Sequence, residues 1–152
     1  MGGELKSRAF QNFAFYLMIS PYSEEKVQMM QQTESLYGAE LEKQELIAKF
    51  LRKFQMYEIM PLEMEEVERQ IAKYDPFFKM TENSDLHTRE FIKQLIQHNI
   101  RVIEKYYNRV KLARLAQLVG VGVDRAEAEI GDMVVNNRLH AKINRMQGIV
   151  VF

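Results

Sequence analysis

Apolar side chains recur at helical spacing through the first hundred residues of the chain. Phe10, Phe13, Ala14 and Leu17 occupy positions i, i+3, i+4 and i+7, which predicts an amphipathic helix over residues 4–19. The same spacing predicts four further helices, at 23–37, 46–54, 64–74 and 84–107. Because the connections between these helices are short, we expect antiparallel neighbours stacked in pairs.

The pattern changes after residue 107. It predicts a short helix, a tight turn, a second helix and a hairpin of two strands, at 112–119, 120–122, 124–136, 139–144 and 149–152. This order is typical of a winged helix. The sequence therefore predicts a mainly α protein, with a helical-repeat part at 4–107 and a winged-helix part at 108–152.

Residues with capping chemistry mark several of these helix ends. Ser23 and Ser84 each stand before an apolar repeat and are predicted N-caps. Asp124, with Glu127 three residues later, is predicted to cap the second helix of the winged helix. Gly120 is predicted to end the helix before it.

Charge is distributed unevenly along the 152 residues, although 21 Lys and Arg balance 21 Asp and Glu. Residues 1–100 carry 12 basic and 16 acidic side chains, whereas residues 101–152 carry nine and five. The helix at 124–136 would enter the major groove in a DNA-reading winged helix. It contains four acidic residues and a single arginine, which would repel phosphates, so DNA reading is not expected.

Catalytic chemistry has no clear sequence signature. His87, His98 and His140 share no metal-ligand motif, and the chain has no cysteine, so we expect no catalytic residue, metal or cofactor. His98 and Asn99 are predicted to supply hydrogen bonds at a joint between the long helix and the winged helix. No apolar run approaches the roughly 18 residues of a membrane span, so a membrane is not an expected partner.

Basic residues cluster just before and within the first short helix of the winged helix. Two interpretations remain open for them: a solvated face, or a surface that docks onto an acidic partner. They are Arg101, Lys105, Arg109, Lys111 and Arg114.

The last predicted strand, 149–152, is apolar and carries no protecting charge. As an edge strand it would expose unpaired backbone groups, which either more sequence of the same protein or a partner chain would cover. We therefore predict a partner-binding surface made of both hairpin strands and a face of helix 124–136. The chain ends on this strand without a polar tail, which indicates a piece of a longer protein. The predicted strand contacts are Lys142, Asn144, Ile149, Val150, Val151 and Phe152.

Helical repeats that lead through a long helix into a winged helix resemble the PCI domain, a family named for the proteasome lid, the COP9 signalosome and translation initiation factor three. The segments that carry the resemblance are 97–103, 105–107, 114–118, 134–135, 141–143 and 148–150. They are most similar to the proteasome lid members of the family. One departure is the Gly120-Val121-Gly122 turn, where relatives tend to have a leucine-rich link to a Ser or Thr cap.

The resemblance implies a right-handed, TPR-like helical stack followed by a winged helix with a small antiparallel sheet. It also implies a non-catalytic scaffold of the proteasome regulatory-particle lid, in the cytoplasm and nucleus. The implied partners are other PCI-containing lid subunits, and no small-molecule substrate is expected. A signalosome subunit and a winged-helix nucleic-acid module are the alternatives.

Overall fold

Eight helices and three short strands form the residues described by a computed structural model, which are 2–60, 64–71 and 82–152. The helices of the first part are α1 Gly2–Ile19, α2 Glu24–Leu36, α3 Gly38–Lys43, α4 Glu45–Gln55 and α5 Met64–Ile71. The remaining elements are α6 Glu82–Tyr106, β1 Arg109–Lys111, α7 Leu112–Val119, α8 Val123–Val135, β2 Lys142–Asn144 and β3 Ile149–Val151. The predicted fold class, a mainly helical chain that ends in a winged helix with a small antiparallel sheet, is confirmed.

The chain divides into two compact units within α6. The helical unit comprises Met1–Met56 with Glu65–Gln94, and the winged-helix unit comprises Tyr57–Met64 with Leu95–Phe152. The domain boundary predicted between residues 107 and 108 stays a prediction. None of the described helices is long and apolar enough to cross a bilayer.

An aromatic cluster around Phe91 forms the centre of the helical unit. The ring centroid of Phe91 lies 5.0 Å from that of Phe50 and 6.2 Å from those of Phe15 and Phe54. All three pairs meet edge to face, which is a favourable arrangement of the ring quadrupoles. The cluster connects α1, α4 and the first part of α6.

A buried lysine closes the junction between α1 and α2. Lys26 Nζ donates to the carbonyl oxygens of Met18 and Ser20 at 2.8 and 2.7 Å, near the end of α1. A cation is favourable there because the last carbonyls of a helix carry a partial negative charge. Ser23 Oγ accepts from the Lys26 backbone N–H at 3.0 Å, which confirms the predicted cap of α2.

At the turn between α7 and α8, the predicted helix end at Gly120 is confirmed, but the predicted N-cap at Asp124 is not. Gly120 has a φ of 89°, and its N–H donates to the Ala116 carbonyl, so it ends α7 in the left-handed conformation. The predicted cap at Asp124 is wrong, because α8 begins at Val123 with Gly122 as its N-cap. Asp124 lies inside the first turn, where its charge still complements the helix dipole.

Other predicted boundaries differ from the structure. The N-cap predicted at Ser84 is wrong, since α6 begins at Glu82, and the short helix α3 was not predicted. The strand predicted over 139–144 forms ladder pairs only at 142–144. Residues 72–74 of the helix predicted over 64–74 lie outside the described residues.

Candidate protein-interaction surface

The sheet of the winged-helix unit has the strand order β1-β3-β2. β3 pairs antiparallel with β1 on one side and with β2 on the other. The expectation that residues 149–152 form an exposed edge strand is therefore wrong. The backbone groups on the second side of β3 pair with β1, a three-residue strand directly before α7. The sequence pattern did not predict this strand.

Cross-strand pairing sorts the side chains onto two faces, because directly paired residues point to the same side of a sheet. Val110, Val150 and Ile143 form one row across the three strands. This row faces the core, and Val150 is 0% exposed. The opposite side, which we call the outer sheet face, carries Arg109, Lys111, Lys142, Asn144, Ile149 and Val151.

Four of the six predicted partner contacts lie together on the outer sheet face. The structure adds Arg109 and Lys111 to this face. Both belong to the basic cluster noted in the sequence, but neither was predicted to lie in the sheet. Val150 supports the face from beneath, and Phe152 is half-buried, its backbone N–H donating to the Asn108 carbonyl at 2.9 Å. The four contacts on the face are Lys142, Asn144, Ile149 and Val151.

The outer sheet face has an aliphatic centre with cations beside it. One row reads Arg109, Val151, Lys142 and the other reads Lys111, Ile149, Asn144. Both side strands are exposed at these positions, and Val151 is 38% exposed. Three of the six residues are basic, and none is acidic.

Two other members of the basic cluster, Lys105 and Arg114, lie in different surroundings. Lys105 Nζ lies 3.4 Å from the ring centroid of Tyr57, a close cation–π contact. Arg114 donates to the Gln117 side chain on the exposed side of α7. The basic cluster of the sequence is thus divided, and two of its members, Arg109 and Lys111, lie on the sheet.

Two acidic residues of α8, Glu129 and Asp132, make contacts within the winged-helix unit. Gln97 Nε2 donates to Glu129 Oε2 at 3.1 Å and to Asp132 Oδ2 at 3.0 Å. Glu129 is only 7% exposed, so this amide joins α6 to the side of α8 that faces it. Sequence reasoning identified the charge of α8 but not this role, because Gln97 lies 32 residues from Glu129.

A further acidic side chain of α8 anchors the hairpin. Arg145 Nη2 lies 2.9 Å from Glu127 Oε1, which ties the turn between β2 and β3 to α8. Exposed ion pairs of this kind contribute little to stability, yet they restrain position. The contribution of an α8 face to partner binding stays a prediction.

Asn99 fastens the segment before α5 to the long helix. Its Oδ1 accepts from the Met60 N–H at 2.7 Å, and its Nδ2 donates to the Met60 carbonyl at 2.8 Å. His98 Nε2 lies 3.3 Å from the Glu58 carbonyl oxygen. The prediction that His98 and Asn99 supply hydrogen bonds is confirmed. These bonds join the long helix to backbone groups about 40 residues earlier, and not to the winged helix as predicted.

We expect Asn99→Ala to lower the free energy of unfolding by about 2 kcal/mol, because it leaves the buried N–H and C=O of Met60 without partners. Asn99→Asp keeps the hydrogen-bond acceptor but loses the donor, so its free energy of unfolding is also expected to be lower than that of wild type. Urea denaturation followed by circular dichroism measures both. Asn108→Ala, at an exposed position, is the control. Equal stability of the Asn99 and Asn108 variants would contradict the assignment.

Within the described ranges, no group of three or more His, Asp or Glu residues is placed to hold a metal ion. The His87 ring contacts the Tyr16 ring edge-on at 5.4 Å, whereas His98 faces the backbone of Glu58. His140 is exposed.

A series of helices that leads through a long helix into a winged helix with a small antiparallel sheet defines the class of fold. The chain matches the PCI domain over residues 39–152, and it belongs to the PCI domain family. The resemblance drawn from the sequence motifs is thereby confirmed.

Several known proteins are similar to the chain. It is 45% identical over 60 residues to 26S proteasome non-ATPase regulatory subunit 12 of Dictyostelium discoideum, covering 40% of the chain and 13% of that protein. It is 31% identical over 146 residues to 26S proteasome regulatory subunit RPN5 of Saccharomyces cerevisiae, covering 93% of the chain and 32% of that protein. COP9 signalosome complex subunit 4 of Caenorhabditis elegans is 36% identical over 91 residues, covering 59% of the chain and 20% of that protein. The chain thus spans no more than about a third of the length of these relatives.

Proposed function

We propose that the chain is the PCI region of a lid subunit of the 26S proteasome regulatory particle, of the subunit 12 type. It acts as a non-catalytic scaffold in ubiquitin-dependent protein degradation. The observation that carries this proposal is the 31% identity to a proteasome regulatory subunit along 93% of the chain. Its partners are other PCI-containing lid subunits, and it resides with them in the cytoplasm and nucleus.

The proposed contact region is the outer sheet face, with Phe152 at its margin. Lys142, Asn144, Ile149 and Val151 contact the neighbouring subunit, and Val150 holds the strand that presents two of them. Support comes from the aliphatic centre of the face, where Val151 is 38% exposed and Ile149 is half-buried, since apolar side chains that reach the surface together are typical of interaction sites.

A signalosome subunit is the second candidate, favoured by the similarity to COP9 signalosome complex subunit 4. That similarity covers 59% of the chain, whereas the proteasome similarity covers 93%. Affinity purification of the full-length protein from its own cells, followed by mass spectrometry, separates the two. Recovery of proteasome lid subunits supports the proposal, and recovery of signalosome subunits in their place rejects it.

We expect Val151→Glu to reduce the recovery of neighbouring lid subunits at least tenfold, because it places a carboxylate in the aliphatic centre of the contact. The matched control is Met146→Glu, which introduces the same charge into the same hairpin at a turn residue that is 98% exposed and lies off the sheet. Quantitative mass spectrometry of the purified complexes measures recovery, and circular dichroism checks folding. Unchanged recovery with a folded Val151→Glu protein would refute the contact assignment.

A further inference from the structure

The width of the outer sheet face indicates which kind of secondary structure a binding partner could place on it. β1 and β2 flank β3, so the two cationic strands are about 10 Å apart, twice the spacing of neighbouring strands. That width matches one α-helix, whose diameter with side chains is about 10–12 Å. Ile149 and Val151 lie about 7 Å apart along β3, close to the 6 Å rise between positions i and i+4 of a helix.

Strand addition is a weaker alternative for the same surface. Both edge strands, β1 and β2, are only three residues long. A partner strand would gain few backbone hydrogen bonds from either edge. The side chains of the face are therefore better suited to recognition than its edges.

Charge defines the chemistry of the occupant. Arg109 and Lys111 stand on one side of the aliphatic pair and Lys142 on the other, with no carboxylate among the six residues. We propose that the outer sheet face binds an acidic amphipathic helix of a neighbouring subunit. Two aliphatic side chains of that helix, at i and i+4, cover Ile149 and Val151, and its flanking carboxylates pair with Arg109, Lys111 and Lys142. This inference rests on the proposed function.

A protein helix suits the face better than a nucleic acid. Binding to nucleic acid is driven by pairing cations with phosphates, which makes no use of aliphatic side chains. Here the two aliphatic residues occupy the central strand, between the cations. Their burial contributes to binding only against an apolar partner surface.

Photo-crosslinking in the assembled complex tests the occupant directly. The full-length protein carries a photoreactive benzophenone amino acid in place of Val151, and the purified complex is irradiated and analysed by mass spectrometry. We expect a crosslink to a segment with helical apolar spacing and flanking Asp or Glu. A crosslink to a segment without carboxylates, a crosslink to nucleic acid, or no crosslink from a complex that contains the neighbouring subunits would overturn the inference.

Charge reversal provides an independent readout. We expect Arg109→Glu with Lys142→Glu to lower retention of the crosslinked neighbour at least tenfold. Arg52→Glu with Lys49→Glu makes the same change in net charge at exposed positions off the face and is expected to retain it. Equal losses from both pairs would overturn the inference. If wild type recovers lid subunits but the face variants retain them fully, only the helix proposal fails, whereas a wild type that recovers no lid subunits rejects the proposed function itself.

Discussion

Phe91→Ala is expected to lower the free energy of unfolding of the helical unit by about 3–5 kcal/mol, the range for removal of a buried aromatic ring. Phe91 is 0% exposed and contacts three other phenylalanine rings, on α1 and α4. The substitution therefore leaves a cavity between three helices and removes three edge-to-face contacts. Thermal and urea denaturation of the 152-residue chain, followed by circular dichroism at 222 nm, measure the loss.

The control for this substitution is Phe13→Ala on α1. Phe13 belongs to the apolar stripe predicted for α1, yet its side chain is 41% exposed. Its removal is therefore expected to lower the free energy of unfolding by less than about 1.5 kcal/mol. A loss at Phe91 no larger than that at Phe13 would show that the aromatic cluster does not form the centre of the unit. Phe91→Leu, which keeps most of the volume, is expected to fall between the two.

The helices were predictable because burial of one helix face requires apolar residues at a period of 3.6. This requirement is local, so the stripe of Phe10, Phe13, Ala14 and Leu17 is visible in the sequence. Three of the four are buried, whereas Phe13 is 41% exposed. Ser23 and Gly120 were equally visible, because capping depends on the chemistry of single residues. The N-cap prediction at Asp124 was wrong because Gly122, two residues earlier, occupies the N-cap position.

The sheet was only half predictable, because β1 is created by pairing with a strand 40 residues later. Arg109, Val110 and Lys111 alternate in burial, but three residues before a helix carry too little pattern to identify a strand. Without β1, the last strand looked like an edge. The alternation around Lys142 and Asn144 was sufficient to place both on the exposed side of β2.

The polar contacts that organise the winged-helix unit were the least predictable feature. Asn99 was expected to make hydrogen bonds, but its partner, Met60, is 39 residues away and carries no polar side chain. Gln97 had no distinguishing signal, although it joins α6 to two carboxylates of α8. Such pairs depend on tertiary geometry, which composition and periodicity do not contain.

Val150→Glu is expected to unfold the winged-helix unit, with a loss of at least about 4 kcal/mol, because it buries an unpaired carboxylate. Val150 is paired on both sides, with Val110 and Ile143, and has no exposed surface. Val151→Glu introduces the same charge one residue later on the outer sheet face, and is expected to change stability by less than about 1 kcal/mol. Urea denaturation of the two variants side by side provides the comparison.

The difference in unfolding free energy between these two variants shows whether β3 is a central strand or an edge strand of the sheet. At a strand in the middle of the sheet, the two faces differ sharply, so moving one residue along β3 moves the carboxylate from the core to solvent. If β3 were an unpaired edge that could detach from β1, Val150→Glu would cost little more than Val151→Glu. A difference of about 3 kcal/mol or more is expected from the observed order of strands. Such a result also establishes that any loss of partner binding in Val151→Glu reflects the surface rather than the fold.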